Sequence, residues 1–451
     1  TQGDGTVNLN ANSKITVGKD QAVGVYAVGA NQHINANAGS SMTIGDNSFG
    51  FVIKGGTNNK FFSNSTGTVD LPDNSVYLYS ADTTGTASTV KNYTNLRTTG
   101  GELAYGIYTN GGGENYGNMD MTQGKGHVGI YSYLPHPTGA IPATVTPNVF
   151  VNHGRIDVSA SDLTVATDQK NGIGMAAGYV KQRTQVENVL DASGNVVIDP
   201  LTGAPKTETK IYRDVIGLGN IENRGVISVT TPNSIGMYAG GKGSIAKNYG
   251  RIELSGTDLN VGMFLEDGAE GYNYGTITTV GTPKNVVGVV VRNGAEFTNE
   301  GTVTINSAGG FAFFKANGGI IKNYGTFNIL GGASKESTPG LKDTGKKVGG
   351  VEIDAKPGVE EATIKDPSGK IVKPTFLSSI GMYIDTLRGT NPIGGLGALN
   401  LEKADLIVGS EASQKTTNKY IEVDQKILEP YNKAVKNNPQ IKEWGIYSGA
   451  F

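Results

Sequence analysis

Between Asn223 and Leu330 short runs of alternating apolar and polar residues recur, each opening on Asn-x-Gly. They read N-R-G-V-I at 223–227, N-Y-G-R-I at 248–252, N-Y-G-T-I at 273–277, N-E-G-T-V at 299–303 and N-Y-G-T-F at 323–327, with starts 25, 25, 26 and 24 residues apart. Counted from the Asn, the fourth following position is Ile227, Ile252, Ile277, Val303 and Phe327, and the sixth is Val229, Leu254, Thr279, Ile305 and Ile329. The positions between are polar in most copies, as in Arg251/Glu253 and Thr302/Thr304. Apolar-polar alternation with β-branched residues predicts a half-buried strand. A second strand follows each: G-M-Y at 236–238, G-M-F at 262–264, G-V-V at 288–290 and G-F-A at 310–312. A Gly-rich turn leads to the next Asn, and no helical period intervenes.

A unit of about 25 residues with short strands and no helix is one coil of a parallel β-helix, whose apolar face is buried only by stacking on the next coil. Propeller blades need about 40–50 residues, so the period excludes them. The fold class expected is all-β, a right-handed parallel β-helix. Gly two places after the Asn suits a corner needing positive φ, and the Asn side chain can bond the backbone of neighbouring turns. The N-terminal part repeats the pattern more loosely, with Gly24-Val25-Tyr26, Gly50-Phe51, Gly106-Ile107-Tyr108 and Gly129-Ile130-Tyr131 on one strand and Asn64, Asn92, Asn115 and Asn152 marking the other. Residues 1–396 thus form the rod, on the order of 60 Å long at about 4.8 Å per coil.

Three insertions interrupt it, near 132–148, 180–214 and 331–374. The second contains two alternating runs around Ala192-Ser193-Gly194-Asn195 and reads as a projecting hairpin. In repeat proteins insertions gather on one face, often the binding face. Residues 397–451 differ in composition: Tyr420, Val423, Ile427, Tyr431 and Val435 sit at helical spacing within 416–436, predicting an amphipathic helix broken or kinked at Pro430 that covers an end or edge of the rod.

Composition narrows the function classes. Glycine, at 67 of 451 residues, lacks the every-third-residue period of collagen. A net charge of −2 and a pI near 6.1 argue against nucleic acid. Without cysteine there is no disulfide or thiolate metal site. The chain starts at Thr1 without Met or signal peptide, as a mature fragment would.

The closing segment carries A-D-L-I-V-G-S-E-A at 404–412, T-T-N-K-Y-I-E-V-D at 416–424, P-Y-N at 430–432 and W-G-I-Y-S-G at 444–449. With the N-Y-G-x-I/G-M-Y coil, it resembles the passenger domains of fusobacterial-type autotransporter adhesins of type V secretion, over essentially the whole chain. The resemblance implies a surface adhesin exported to the outer membrane. It would be tethered to a β-barrel translocator outside this sequence and used in bacterial co-aggregation or host-cell attachment, with a protein or glycan receptor as partner. A monomer is expected, spanning no membrane itself.

No catalytic, metal-binding or cofactor-binding residue is assigned. The four histidines form no H-E-x-x-H, no G-x-S-x-G elbow is present, and Gly124–Gly129 matches G-x-G-x-x-G without a following helix. A β-helix enzyme cleaving polysaccharide is the alternative; its carboxylates would be Asp120, Asp157 or Glu253, the last two with Arg155 and Arg251 two residues before them. A pure spacer is the third reading. Tyr116, Tyr249, Tyr274 and Tyr324, which follow the repeated Asn, read as a structural ladder, with His153 in the same slot. The expected partner-binding residues lie in or beside the insertions: Tyr131, Tyr133, Tyr179, Arg183, Tyr212 and Arg213, since Tyr and Arg dominate interface hot spots.

Overall fold

The computed structural model describes residues 4–81, 88–135, 147–159, 172–230, 234–256, 260–336, 347–348, 351–352, 364–365, 371–372, 379–386, 403–411, 425–437, 441 and 445–449. It is a β-solenoid, 59% strand and 3% helix, with about 12 turns about 26 residues apart. Among the described residues three long parallel sheets run along it. Sheet I has eleven strands, from Gly5–Leu9 to Ile320–Asn323; sheet II has nine, from Thr68–Leu71 to Thr326–Leu330; sheet III has eleven, from Val23–Val28 to Ser334–Glu336. One coil gives a strand to each, as with Glu270–Asn273, Thr276–Thr279 and Val287–Arg292.

The register explains why the sequence repeats. Asn248 lies opposite Asn273, Ile252 opposite Ile277 and Met263 opposite Val289, so each inward position stacks on its own kind. Ile227, Ile252, Ile277, Val303 and Phe327 make one buried ladder; Met175, Met237, Met263, Val289 and Phe313 make the facing one. Fully burying such side chains contributes about 1.5–3 kcal/mol each.

The corner after each Asn works differently from the expectation. Gly225, Gly250, Gly275, Gly301 and Gly325 are absent from the positive-φ residues, so handedness is not what selects them. Contact is: a Cβ on Gly275 would stand 2.1 Å from the Gly250 carbonyl oxygen, and one on Gly301 would stand 2.1 Å from that of Gly275. Successive corners stack backbone on backbone with no room for a methyl group. Positive φ belongs instead to the turn between sheets III and I, where Asp267-Gly268, Asn293-Gly294 and Asn317-Gly318 all adopt it.

The Asn side chains also do more than bond backbone. Asn92, Asn115, Asn152, Asn223, Asn248, Asn273, Asn299 and Asn323 form one continuous ladder, each Nδ2 donating to the Oδ1 of the next at 2.7–3.0 Å. Seven of the eight are fully buried, and each Nδ2 also reaches the carbonyl two residues on, as Asn115 does to Gly117 at 2.8 Å. A buried amide is thereby satisfied by its own copies.

Sheet III breaks its period between Val128 and Ile173 and between Ile173 and Ile235. The first interval contains residues 136–146 and 160–171, outside the described residues; the second contains the hairpin. The third expected insertion begins later than anticipated, because Ser334–Glu336 still pairs with Phe311–Ala316. Beyond it, Ser379–Ile384, Lys403–Gly409 and Ile446–Gly449 form a parallel sheet, so pairing crosses the expected boundary at 396/397. The helix spans Gln425–Lys436 and runs through Pro430, the sixth of its twelve residues, at the loss of one backbone hydrogen bond. Residues 416–424, including Tyr420 and Val423, lie outside the described residues. Tyr431 is fully buried and its hydroxyl donates to the Tyr383 carbonyl at 3.1 Å, docking the helix on this sheet.

Candidate functional site

The second insertion is the hairpin that its alternation predicts. Tyr179–Asn188 and Thr207–Leu218 pair antiparallel, and Leu134–Pro135 from the first insertion joins at the root against Gly217 and Leu218. Ten residues at about 3.4 Å give an arm on the order of 34 Å. Its tip holds two turns. Asp191 caps the first, its Oδ1 accepting from the Ser193 and Asn195 amides; Asp199 caps the second, accepting from Leu201. These are Asx turns, the local chemistry by which Asp shapes tight loops.

Cross-strand pairs divide the arm into two faces. One carries Lys181, Arg183, Gln185 and Glu187 opposite Asp214, Tyr212, Lys210 and Glu208. Here Arg183 donates to Asp214 at 2.7 Å and to Gln185 at 2.6 Å, with its guanidinium 4.3 Å from the Tyr212 ring centre. Lys210 bridges Glu187 and Glu208, and Tyr212 donates to Glu187. The charges on this face are mutually neutralised. The other face carries Val186 and Ile211, each 64% exposed, and the tip adds Leu190, Val196, Ile198 and Leu201, the last 94% exposed. Exposed apolar side chains gathered on one projecting arm offer a contact surface to a partner.

Arg213 differs from its expected role. It points to the rod, where its Nε donates to Asp267 at 2.8 Å and its NH2 to Glu266. Glu266 is fully buried and also accepts from Arg292 at 2.7 and 2.9 Å and from the Tyr238 hydroxyl at 2.8 Å. Burial lifts the Asp267 carboxyl above the ordinary range, with the Glu266 charge adding to it and Arg213 opposing. Two carboxylates and two guanidinium groups balance in charge. Arg213 is therefore the clasp that fixes the arm, its fork already engaged with the rod.

Tyr131 and Tyr133 do come together, with ring centres 5.5 Å apart, and Tyr133 donates to the Ile216 carbonyl of the arm at 3.2 Å. They belong to a larger aromatic group on the outer face of sheet III. Tyr79, Tyr108 and Tyr131 align in register on three successive coils, with Tyr79–Tyr108 at 5.2 Å and Tyr108–Tyr131 at 4.9 Å. Tyr105 flanks Tyr108 at 5.8 Å, and Phe49 meets Tyr79 at 6.4 Å. Tyr179 at the arm's root acts on Tyr105, Tyr131 and Tyr133. Tyr108 escapes the sequence reading because G-I-Y at 106–108 looks like coil motif, and Tyr79 and Tyr105 because they lie outside the motif spellings. Their signal is an aromatic residue held at the outward position of consecutive coils.

The ladder of residues after Asn is present over part of its expected length: Tyr93, Tyr116 and His153 stack at 4.7 and 4.6 Å, then Arg224 lies over Tyr249, which stacks on Tyr274 at 4.7 Å, whereas Tyr324 lies beyond Glu300 and is 71% exposed. Two of the three acids considered for catalysis sit in ion pairs, Asp157 with Arg155 at 2.8 Å and Glu253 with Arg251 at 2.7 Å, while Asp120 accepts from the Thr122 amide at 3.2 Å. Comparison of the chain with models of known protein families, with curated proteins and with solved structures found no match.

Proposed function

We propose that this chain is the passenger of a cell-surface adhesin: a rigid rod that holds a recognition arm away from the outer membrane and acts by binding, without turnover. The observation that carries the reading is the arm itself. It is clasped at its root by a buried ion-pair network, which gives it a fixed direction, and it presents exposed apolar side chains at its far end. Pre-organisation of this kind lowers the entropy lost on association. The Asn ladder and coil register supply a stiff support, since every coil is bonded to the next. Export and tethering follow from the resemblance of the coil and the closing segment, and belong to the same proposal.

Deleting residues 182–210 and joining the remaining strands by a short turn tests it. Adhesion to host-cell monolayers and to partner bacteria should fall at least tenfold while the circular dichroism of the solenoid stays unchanged. Undiminished adhesion by the deleted protein would refute the role of the arm.

A further inference from the structure

A second surface, separate from the arm's tip, carries ligand chemistry of its own. Along the outer face of sheet III one file of side chains runs Tyr26, Val52, Tyr79, Tyr108, Tyr131, Ala176, Tyr238, Phe264, Val290 and Phe314. From Ala176 onward these residues are buried. Towards the N-terminus the same apolar stripe opens: Tyr79, Tyr105, Tyr108 and Tyr131 are half-buried, and Tyr26 is exposed. The open part is a shelf of aromatic rings three coils long, about 14 Å, bounded by Tyr133 and the root of the arm on one side and by the buried Val52 on the other.

Three properties select what it binds. The strands beneath spend their amides and carbonyls on the sheet, so a face of this kind offers an extended peptide no backbone partners. Among the described residues the hydroxyls of Tyr79, Tyr105, Tyr108 and Tyr131 meet no hydrogen-bond partner, and the four side chains are half-buried. Burial, with neighbouring phenols adding to it, raises their pKa values, so all four stay neutral, able both to donate and to accept. Flat apolar rings beside neutral, unsatisfied hydroxyls match a molecule with an apolar C–H face and a rim of hydroxyl groups.

We infer that the shelf of Tyr79, Tyr105, Tyr108 and Tyr131 is a binding site for an uncharged saccharide chain. Sugar C–H faces lie against the rings while sugar hydroxyls exchange hydrogen bonds with the phenols. The site is distinct from the arm's apolar end and does not require it.

The purified chain is tested on a printed panel of neutral oligosaccharides of hexose and N-acetylhexosamine units, with sialylated and sulfated counterparts alongside. Wild-type protein should bind neutral members. Tyr108→Ala should weaken binding at least tenfold, and Tyr108→Phe, which keeps the ring and the fold, about threefold. Tyr324→Ala, on the exposed end of the other tyrosine ladder, should match wild type. The protein lacking residues 182–210 should keep its saccharide binding, so that loss of cell adhesion in that deletion and loss of sugar binding in the tyrosine variants fail independently. The inference is overturned if no neutral saccharide is bound, if only charged members are bound, or if folded Tyr108→Ala and Tyr131→Phe proteins bind as wild type. Concentration-dependent dimerisation abolished by Tyr108→Ala would also overturn it, since a second copy would then be the occupant.

Discussion

Replacing Asn273 by Ala removes one rung from the middle of the asparagine ladder. The side chain accepts from Asn248 at 2.8 Å and donates to Asn299 at 2.7 Å, and it is fully buried. After the change the Asn248 amide still has the Gly250 and Thr276 carbonyls at 3.4 and 3.3 Å, but the Asn299 Oδ1 loses its donor. An orphaned buried acceptor costs about 1–3 kcal/mol, and the vacated amide volume, on the order of 40 Å³, adds about 1 kcal/mol at 24 cal/mol per Å³. The expected loss is thus about 3 kcal/mol. Asn323 ends the ladder among the described residues, is only half-buried, and leaves Asn299 with the Gly301 carbonyl at 3.2 Å, so Asn323→Ala should cost about 1 kcal/mol. Urea unfolding midpoints, with hydrogen exchange read coil by coil, measure both. Equal losses at the two sites would refute the claim that the ladder acts as a connected chain. Asn273→Asp sharpens the test, because its carboxylate can accept from Asn248 but not donate to Asn299. The folded-state pKa of that carboxyl should rise, so the variant should be most stable at low pH and lose stability as pH climbs through it. A variant with the opposite slope would contradict the donor-acceptor order of the ladder.

Gly275→Ala should destabilise by about 3 kcal/mol or more, since its Cβ meets the Gly250 oxygen at 2.1 Å, whereas Gly281→Ala, in open space at φ 72°, should cost only about 1 kcal/mol; thermal unfolding of the two distinguishes contact from handedness. His127 is fully buried, accepts the Ala104 amide at 3.0 Å through Nδ1 and bonds the Gln123 carbonyl through Nε2, and burial lowers its pKa to about 4 despite Asp73 and Glu102 nearby. The unfolded chain takes up this proton near 6.5, so stability present above that pH should drain away between 6.5 and 4, by about 3 kcal/mol in all. His127→Gln should flatten the curve between pH 5 and 6.5, and an unchanged slope there would reject the assignment. Arg213→Ala leaves Asp267 without its paired cation and should cost about 3–5 kcal/mol at the root of the arm, against under about 1 kcal/mol for Arg183→Ala; limited proteolysis of the arm should accelerate only in the former.

The inward and corner positions of the chain could be read in advance because stacking forces each coil to copy the last. Ile252 must meet Ile277 and Asn248 must meet Asn273, so the repeat in the text is the contact in space. What the period does not tell is why a residue is copied. Gly275 recurs because of a carbonyl 25 positions earlier, a fact about coil spacing that no local propensity contains. The arm was legible in its alternation, but not its attachment. Arg183 and Arg213 look alike in the sequence, and one faces water while the other meets Glu266, 53 residues on. That difference depends on which face of the hairpin the rod accepts, which is set by pairing register.

Outward positions obey a weaker constraint, and that is where recognition has room to be written. Along sheet II the outward file changes from Asp157 to Ser228, Glu253 and Thr278 without disturbing the core. Along sheet III it holds tyrosine over three successive coils and then Ala176 and Tyr238, although water would tolerate a polar residue at every one of the half-buried sites. Persistence of costly aromatic surface where the fold does not demand it is the argument for a ligand there. Tyr133 links that surface to the arm through the Ile216 carbonyl, so the two outward departures from the regular coil meet at one place on the rod. A scaffold selected only for reach has no reason to bring them together.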